Sequence, residues 1–249
     1  MTPDPAACRI GITAGHTVLN LEVWHPDWGS AATEALRRSL FGAQGPSGDS
    51  APDAQAATTM LEAALGAERA DAWLGEVTVT DRSPGNAVSM ADLQGRVDRM
   101  ASEAVDPEGR PARTDLHVDH DGVPATAQVI LPLSPTVAPG CDLHVSVTLE
   151  TDAVASSDLT MAQIEDRSGA VREALVDTVD ENNAGILAVT EFRPGADTLH
   201  FYLDSTSPAV VDKSVLNTLR TVASAWQYGD TVVDEEKDPR WDAVRTYRV

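Results

Sequence analysis

DLHVSVTLE, residues 142–150, is the stretch on which the fold turns. Leu143, Val145, Val147 and Leu149 alternate with Asp142, His144, Ser146, Thr148 and Glu150. That two-residue period describes a strand with one apolar and one polar face. Downstream, Ile164, Val171, Leu175 and Val179 fall on one stripe of a long helix starting near Leu159. Asn182-Asn183-Ala184-Gly185 ends it with residues that tolerate the left-handed conformation. ILAVTEF and TLHFYLD then form a hairpin through Pro194-Gly195. A second helix carries Val215, Leu216, Leu219, Val222, Ala223 and Trp226. DTVVDEE is a last strand, and Asp238-Pro239 opens a final short helix as N-cap followed by proline at the first helical position. Trp241 shares a side of that helix with Val244 and packs it down.

Upstream, TDLHVDHDGVPATAQVILPLS reads as two strands joined near Asp121-Gly122. VDPEGRPAR, residues 105–113, has the prolines, glycine and charge of a linker. The N-terminal half, 1–104, begins with a hairpin, RIGIT and TVLNLEVW around Ala14-Gly15-His16. A helix is expected over 31–41, a small-residue loop over 42–54, and a helix from near Asp53 with Met60, Leu61 and Leu65 on its stripe. LGEVTVTD alternates like a strand, and Ser89 with Asp92 resembles a capping box ahead of Met90, Leu93, Val97 and Met100. Hairpins with helices between them indicate α+β architecture. Two two-layer domains are expected, 1–104 and 114–249, each with helices on one face of a mainly antiparallel sheet.

The net charge of −21 over 249 residues disfavours nucleic-acid and anionic-membrane partners and favours a basic protein partner. No run approaches the about 18 apolar residues of a membrane helix. Cys8 and Cys141 stand in different halves without a motif, so free thiols in the cytoplasm are expected. No P-loop, nucleophile elbow, Cys-x-x-Cys or His-Glu-x-x-His is present, and the many carboxylates offer no distinguished acid–base pair. No catalytic residue and no cofactor is assigned.

One motif recurs: DLHVDH (115–120), DLHVSV (142–147) and TLHFYL (198–203). His117, His144 and His200 each occupy the polar phase of a strand. Three imidazoles on adjacent strands in register could ligate zinc, with Asp119 or Asp142 in support. The preferred reading is a solvated polar sheet face opposite the helices. Contacts to a basic partner are expected at Asp119, Asp142 and Asp204 on that face, and at Asp234 and Glu235 in DEEKD.

The second half also resembles a bacterial domain family of unknown function, sometimes found beside domains like the regulator of ribonuclease E activity B. The matching residues are Asp121-Gly122-Val123-Pro124-Ala125, Ile164-Glu165-Asp166, Leu199-His200-Phe201-Tyr202 and Asp238-Pro239-Arg240-Trp241, covering roughly 114–249. LEAALGAERADAWLGEV is similar, more weakly, to a segment preceding that domain. The resemblance implies a ferredoxin-like second domain and protein binding, and it brings no catalytic residues. The expected function is a non-catalytic, protein-binding or regulatory module. The alternative is a metal-dependent hydrolase or small-ligand-binding protein using the three-histidine face.

Overall fold

The computed structural model describes residues 4–28, 52–120, 122–152, 156 and 158–249. The helix expected at 31–41, and the loop at 42–54 up to residue 51, lie outside these. The chain divides into two compact units, residues 1–105 with Val249, and 106–248. No described helix is long and apolar enough to cross a membrane.

The first unit holds a three-stranded sheet, β1 (Arg9–Ala14), β2 (Leu19–Trp24) and β3 (Leu74–Val79), in that order. β1 and β2 pair antiparallel, whereas β3 joins β2 parallel after a helical crossover, α1 (Pro52–Leu65) and α2 (Ala67–Trp73). The α1 stripe is buried at Met60, Leu61 and Leu65. The expected capping box opens α3 (Met90–Glu103): the Asp92 N–H donates to Ser89 Oγ at 3.2 Å, and the Ser89 N–H to Asp92 Oδ2 at 3.1 Å. Leu93 and Val97 follow, both with no exposed surface.

The second unit opens with an ordered turn rather than an open tether. The Asp106 carboxylate accepts N–H bonds from Glu108 and Arg110 at 3.0 and 2.8 Å. Then come β4 (Arg113–His120), β5 (Val123–Ile130), β6 (Cys141–Glu150), α4 (Met161–Glu181), β7 (Gly185–Arg193) and β8 (Ala196–Asp204). A single helical turn, Pro208–Val211, precedes α5 (Ser214–Ala223) and β9 (Thr231–Lys237). The six strands run β4-β5-β7-β8-β6-β9, and every adjacent pair is antiparallel. From β6 onward the chain is βαββαβ with β7-β8-β6-β9 side by side, which is the ferredoxin-like topology. The β4–β5 hairpin widens that sheet by pairing β5 with β7.

Thr160 caps α4 through a box with Gln163, and Asn183 ends it at φ 46°, as its left-handed tolerance predicts. Gly185 then starts β7 so close to β8 that a Cβ there would stand 2.0 Å from the Tyr202 carbonyl oxygen. Only glycine permits that approach.

Each face of the sheet carries a core. Under α4 and α5, Val145, Val147, Leu149, Leu199, Phe201 and Leu203 meet Leu175, Val179, Leu216 and Leu219. This is the apolar phase of 142–150; of the expected apolar stripes, Leu143, Ile164, Val171 and Val222 are left partly exposed. The opposite face was expected to be solvated. It carries a second core instead, in which Leu116, Ala127, Val129, Val189 and Tyr202 pack against Trp241, Val244 and Tyr247 of the C-terminal segment. The period-two rule divides each strand into its two faces, but it is blind to a later segment, the short 3-10 turn Asp242–Tyr247, that folds back over the polar one.

Candidate functional site

The three histidines separate. β4 lies three strand spacings from β8 and four from β6, about 14 and 19 Å across the sheet. In addition, Leu116 packs into the core beneath the C-terminal segment, which turns the adjacent His117 to the other face, where it is exposed. The apolar phase of β4 therefore faces the way that the polar phase of β6 and β8 faces. His117 cannot share a ligand with the other two. Among the described residues no group of three or more His, Cys, Asp or Glu side chains is arranged to hold a metal ion.

His144 and His200 do meet. His144 stands opposite Tyr202, and Ser146 opposite His200, so the two imidazoles are diagonal neighbours on one face. His144 Nε2 lies 3.0 Å from His200 Nδ1, with the rings stacked at 5.3 Å. On the other side, β9 places Glu236 opposite His144, with Oε1 3.3 Å from Nδ1. A carboxylate beside Nδ1 favours the tautomer protonated there, leaving Nε2 to accept from His200. His144 is only 6% exposed. Burial pushes its pKa below the ordinary imidazole value, against the opposing pull of Glu236 and Asp238.

The C-terminal segment is fastened beside this pair. The Tyr202 hydroxyl donates to Asp238 Oδ2 at 2.7 Å, a fully buried bond. The same carboxylate accepts the Asp242 and Ala243 N–H groups, each at 2.9 Å, capping the 3-10 turn Asp242–Tyr247. Burial raises the Asp238 pKa. The bonds from Ala243, Tyr202 and Asp242 outweigh it, and the net shift is downward. Burial drives the Tyr202 and Tyr247 hydroxyls the other way, above the ordinary phenol value, so both stay protonated. Trp241 stacks on Tyr202 at 4.1 Å and donates Nε1–H to the Cys141 carbonyl at 2.9 Å. It does so at φ 58°, a left-handed conformation that a bulky residue holds only when its surroundings enforce it. The Tyr247 ring tilts over His200 at 5.9 Å.

The acidic candidates are scattered. Asp119 is exposed and accepts the Gly122 N–H at 2.6 Å, closing the β4–β5 turn. Asp142 accepts from the Ser205 N–H at 3.3 Å and pairs with Lys237 at 3.1 Å; Ser205 and then Lys237 hold its pKa down. Asp204 caps its own turn through the Thr206 N–H and hydroxyl at 2.8 and 2.6 Å. These three carboxylates organise turns and strand ends. Asp234 and Glu235 lie on β9, an edge strand bonded, among the described residues, to β6 alone. Asp234 is exposed on the histidine side, and Glu235, on the helix side, reaches Arg220 at 3.3 Å. Exposed Val232 lies on the same strand.

Sequence reasoning passed over Glu236, Tyr202 and the clamping role of Asp238. Alternation within TVVDEEK puts Asp234 and Glu236 on one side, so that phase was readable. Which strand β9 joins was not.

The open space of this unit lies elsewhere. The larger cleft, of about 930 Å³, runs from Asp106–Arg113 to Ile130, Ile186 and Asp180. Its charges are mixed, with Arg110 and Arg113 facing Asp106, Asp180 and Asp204. Cys141 borders it, and burial pushes that thiol up to about 11; Cys8, fully buried in the first unit, is likewise raised to about 11. Both are free thiols. At pH 7.5 their alkylation by iodoacetamide should run roughly a hundredfold slower than that of an ordinary cysteine, and denaturation should abolish the difference.

No family model, curated protein or solved structure matches the chain.

Proposed function

We propose that this chain is a non-catalytic, cytoplasmic protein-binding module that docks a basic, extended segment of a partner along β9. The observation that carries the reading is the edge itself. Among the described residues, Thr231–Lys237 pair on one side only and display Asp234, Glu235 and Glu236 on alternating faces. A partner strand added there gains main-chain hydrogen bonds, and side chains of opposite charge give it register. The surplus of negative charge accelerates encounter with such a segment. The hydrolase or small-ligand reading loses support because the polar sheet face is filled by the chain's own Trp241–Tyr247 and the third histidine lies on the other side.

Pull-down from a bacterial lysate at low salt should retain a protein with a lysine- or arginine-rich extended segment. Raising ionic strength well past 0.1 M, where the screening length is about 10 Å, should release it. Charge reversal at Asp234 and Glu235 should lower affinity by about tenfold or more. Retention that is indifferent to both salt and charge reversal would refute docking at β9.

A further inference from the structure

Two imidazoles joined at 3.0 Å need one proton between them. When the pair carries no added proton or one, a single N–H can lie between the facing nitrogens. When it carries two, both nitrogens bear hydrogens and both rings are cations, so the bond becomes a repulsion. The surroundings decide how far this is tolerated. From β9, Glu236 touches His144, and Asp234 shares its face. From β8, the Tyr202 ring lies tilted beside His144 at 5.2 Å and remains a neutral phenol. From β7, Glu191 and Arg193 pair at 3.3 Å, and both bear on Tyr247. From the C-terminal segment, Asp238 acts on both His144 and Tyr202, and Asp242 acts on Tyr202. Glu236, in contact with His144, offsets one imidazolium, and Glu191 is paired with Arg193. Asp238 is already committed to three hydrogen bonds, and Tyr202 and Tyr247 have no charge to offer.

We propose that His144 and His200 form a proton-operated latch that keeps the C-terminal segment on the sheet while the pair holds at most one added proton and releases it at the second. The segment meets the pair through Tyr247, tilted over His200, and through Trp241, which stacks on the Tyr202 ring beside His144. Release uncovers the helix-free face. The α4–α5 face, packed on the other side, stays closed. The sign follows from burial. His144 is depressed in the folded state, so its contribution is whole above the ordinary imidazole pKa of about 6.5. It is lost as the pH falls below that value toward the folded one, because the opened state binds the proton more readily. The latch shares Glu236 with the β9 edge, but it is tested on the chain without a partner, so its failure is distinct from a failure of docking at β9.

The test is amide hydrogen exchange of the intact chain as the pH is lowered through the imidazole range, corrected for the intrinsic pH dependence of exchange. Protection of peptides covering 241–247 should drop by about tenfold or more, with β7 and β8 still protected. His200→Gln keeps a hydrogen-bonding partner for His144 and removes the second cation, so its segment should stay protected at the same pH. His144→Gln is the parallel variant if the first does not fold. NMR titration of the wild-type imidazole C–H signals should show two coupled steps. An equal loss of protection in wild type and variant, loss spread uniformly over the sheet, or a single uncoupled titration would overturn the latch.

Discussion

Replacing Trp241 by alanine is expected to destabilise the second unit by about 3–5 kcal/mol, the range for removing a large aromatic side chain from a packed site. Trp241 is 2% exposed, stacks on Tyr202 and donates to the Cys141 carbonyl, so truncation removes packing and leaves that carbonyl short of a partner. The backbone adds a diagnostic. At φ 58° alanine keeps the strain that tryptophan bears, whereas glycine is free of it. Trp241→Gly should therefore recover about 1 kcal/mol relative to Trp241→Ala, reversing the usual order of these two residues. Urea unfolding, followed by hydrogen exchange in β7 and β8, measures both. A loss below about 1 kcal/mol would mean that the second core contributes little.

Asp238→Ala removes the acceptor for three donors at once. Losing a helix cap costs about 1 kcal/mol, and stranding a buried hydroxyl costs about 1–3 more, so a loss of about 2–4 kcal/mol is expected. Tyr202→Phe, which deletes the hydroxyl together with its need for a partner, should cost distinctly less. The pH dependence has a fixed sign. Asp238 is depressed in the folded state, so its contribution is complete above the ordinary carboxylate pKa of about 3.9. It disappears as the pH falls through the folded value. The gap between wild type and Asp238→Ala should thus be constant near neutrality and close in strong acid. A gap that widens on acidification would contradict the assignment.

Local patterns in the chain determine much of this arrangement. The alternation in DLHVSVTLE assigned Val145, Val147 and Leu149 to the helix-covered core, and the stripe through Leu175 and Val179 supplied its cover. Ser89 with Asp92 and the Asn183 terminus were readable because each is a short-range hydrogen-bond or backbone requirement; Asp238 does bond the start of the final turn, but that turn begins at Asp242, with Trp241 rather than Asp238 at its N-cap and Pro239 outside it. The fate of the polar phase was not readable. Whether His200 meets water or Tyr247 depends on a return of the chain from nearly fifty residues downstream, and periodicity contains no such term. The placement of His117 failed for a related reason. Alternation divides a strand into two faces, but it does not say which face of β4 continues which face of β8. That depends on strand order, and strand order depends on non-local pairing.

The proposal that β9 docks a basic extended segment is tested most directly by NMR titration with a short, alternating basic peptide of high β-propensity. The amides of Thr231–Lys237 should shift and gain protection from exchange, with affinity falling as salt rises and falling again in Asp234→Lys. Shifts concentrated in the Asp106–Arg113 cleft or over Trp241–Tyr247, with the β9 amides unmoved, would contradict it.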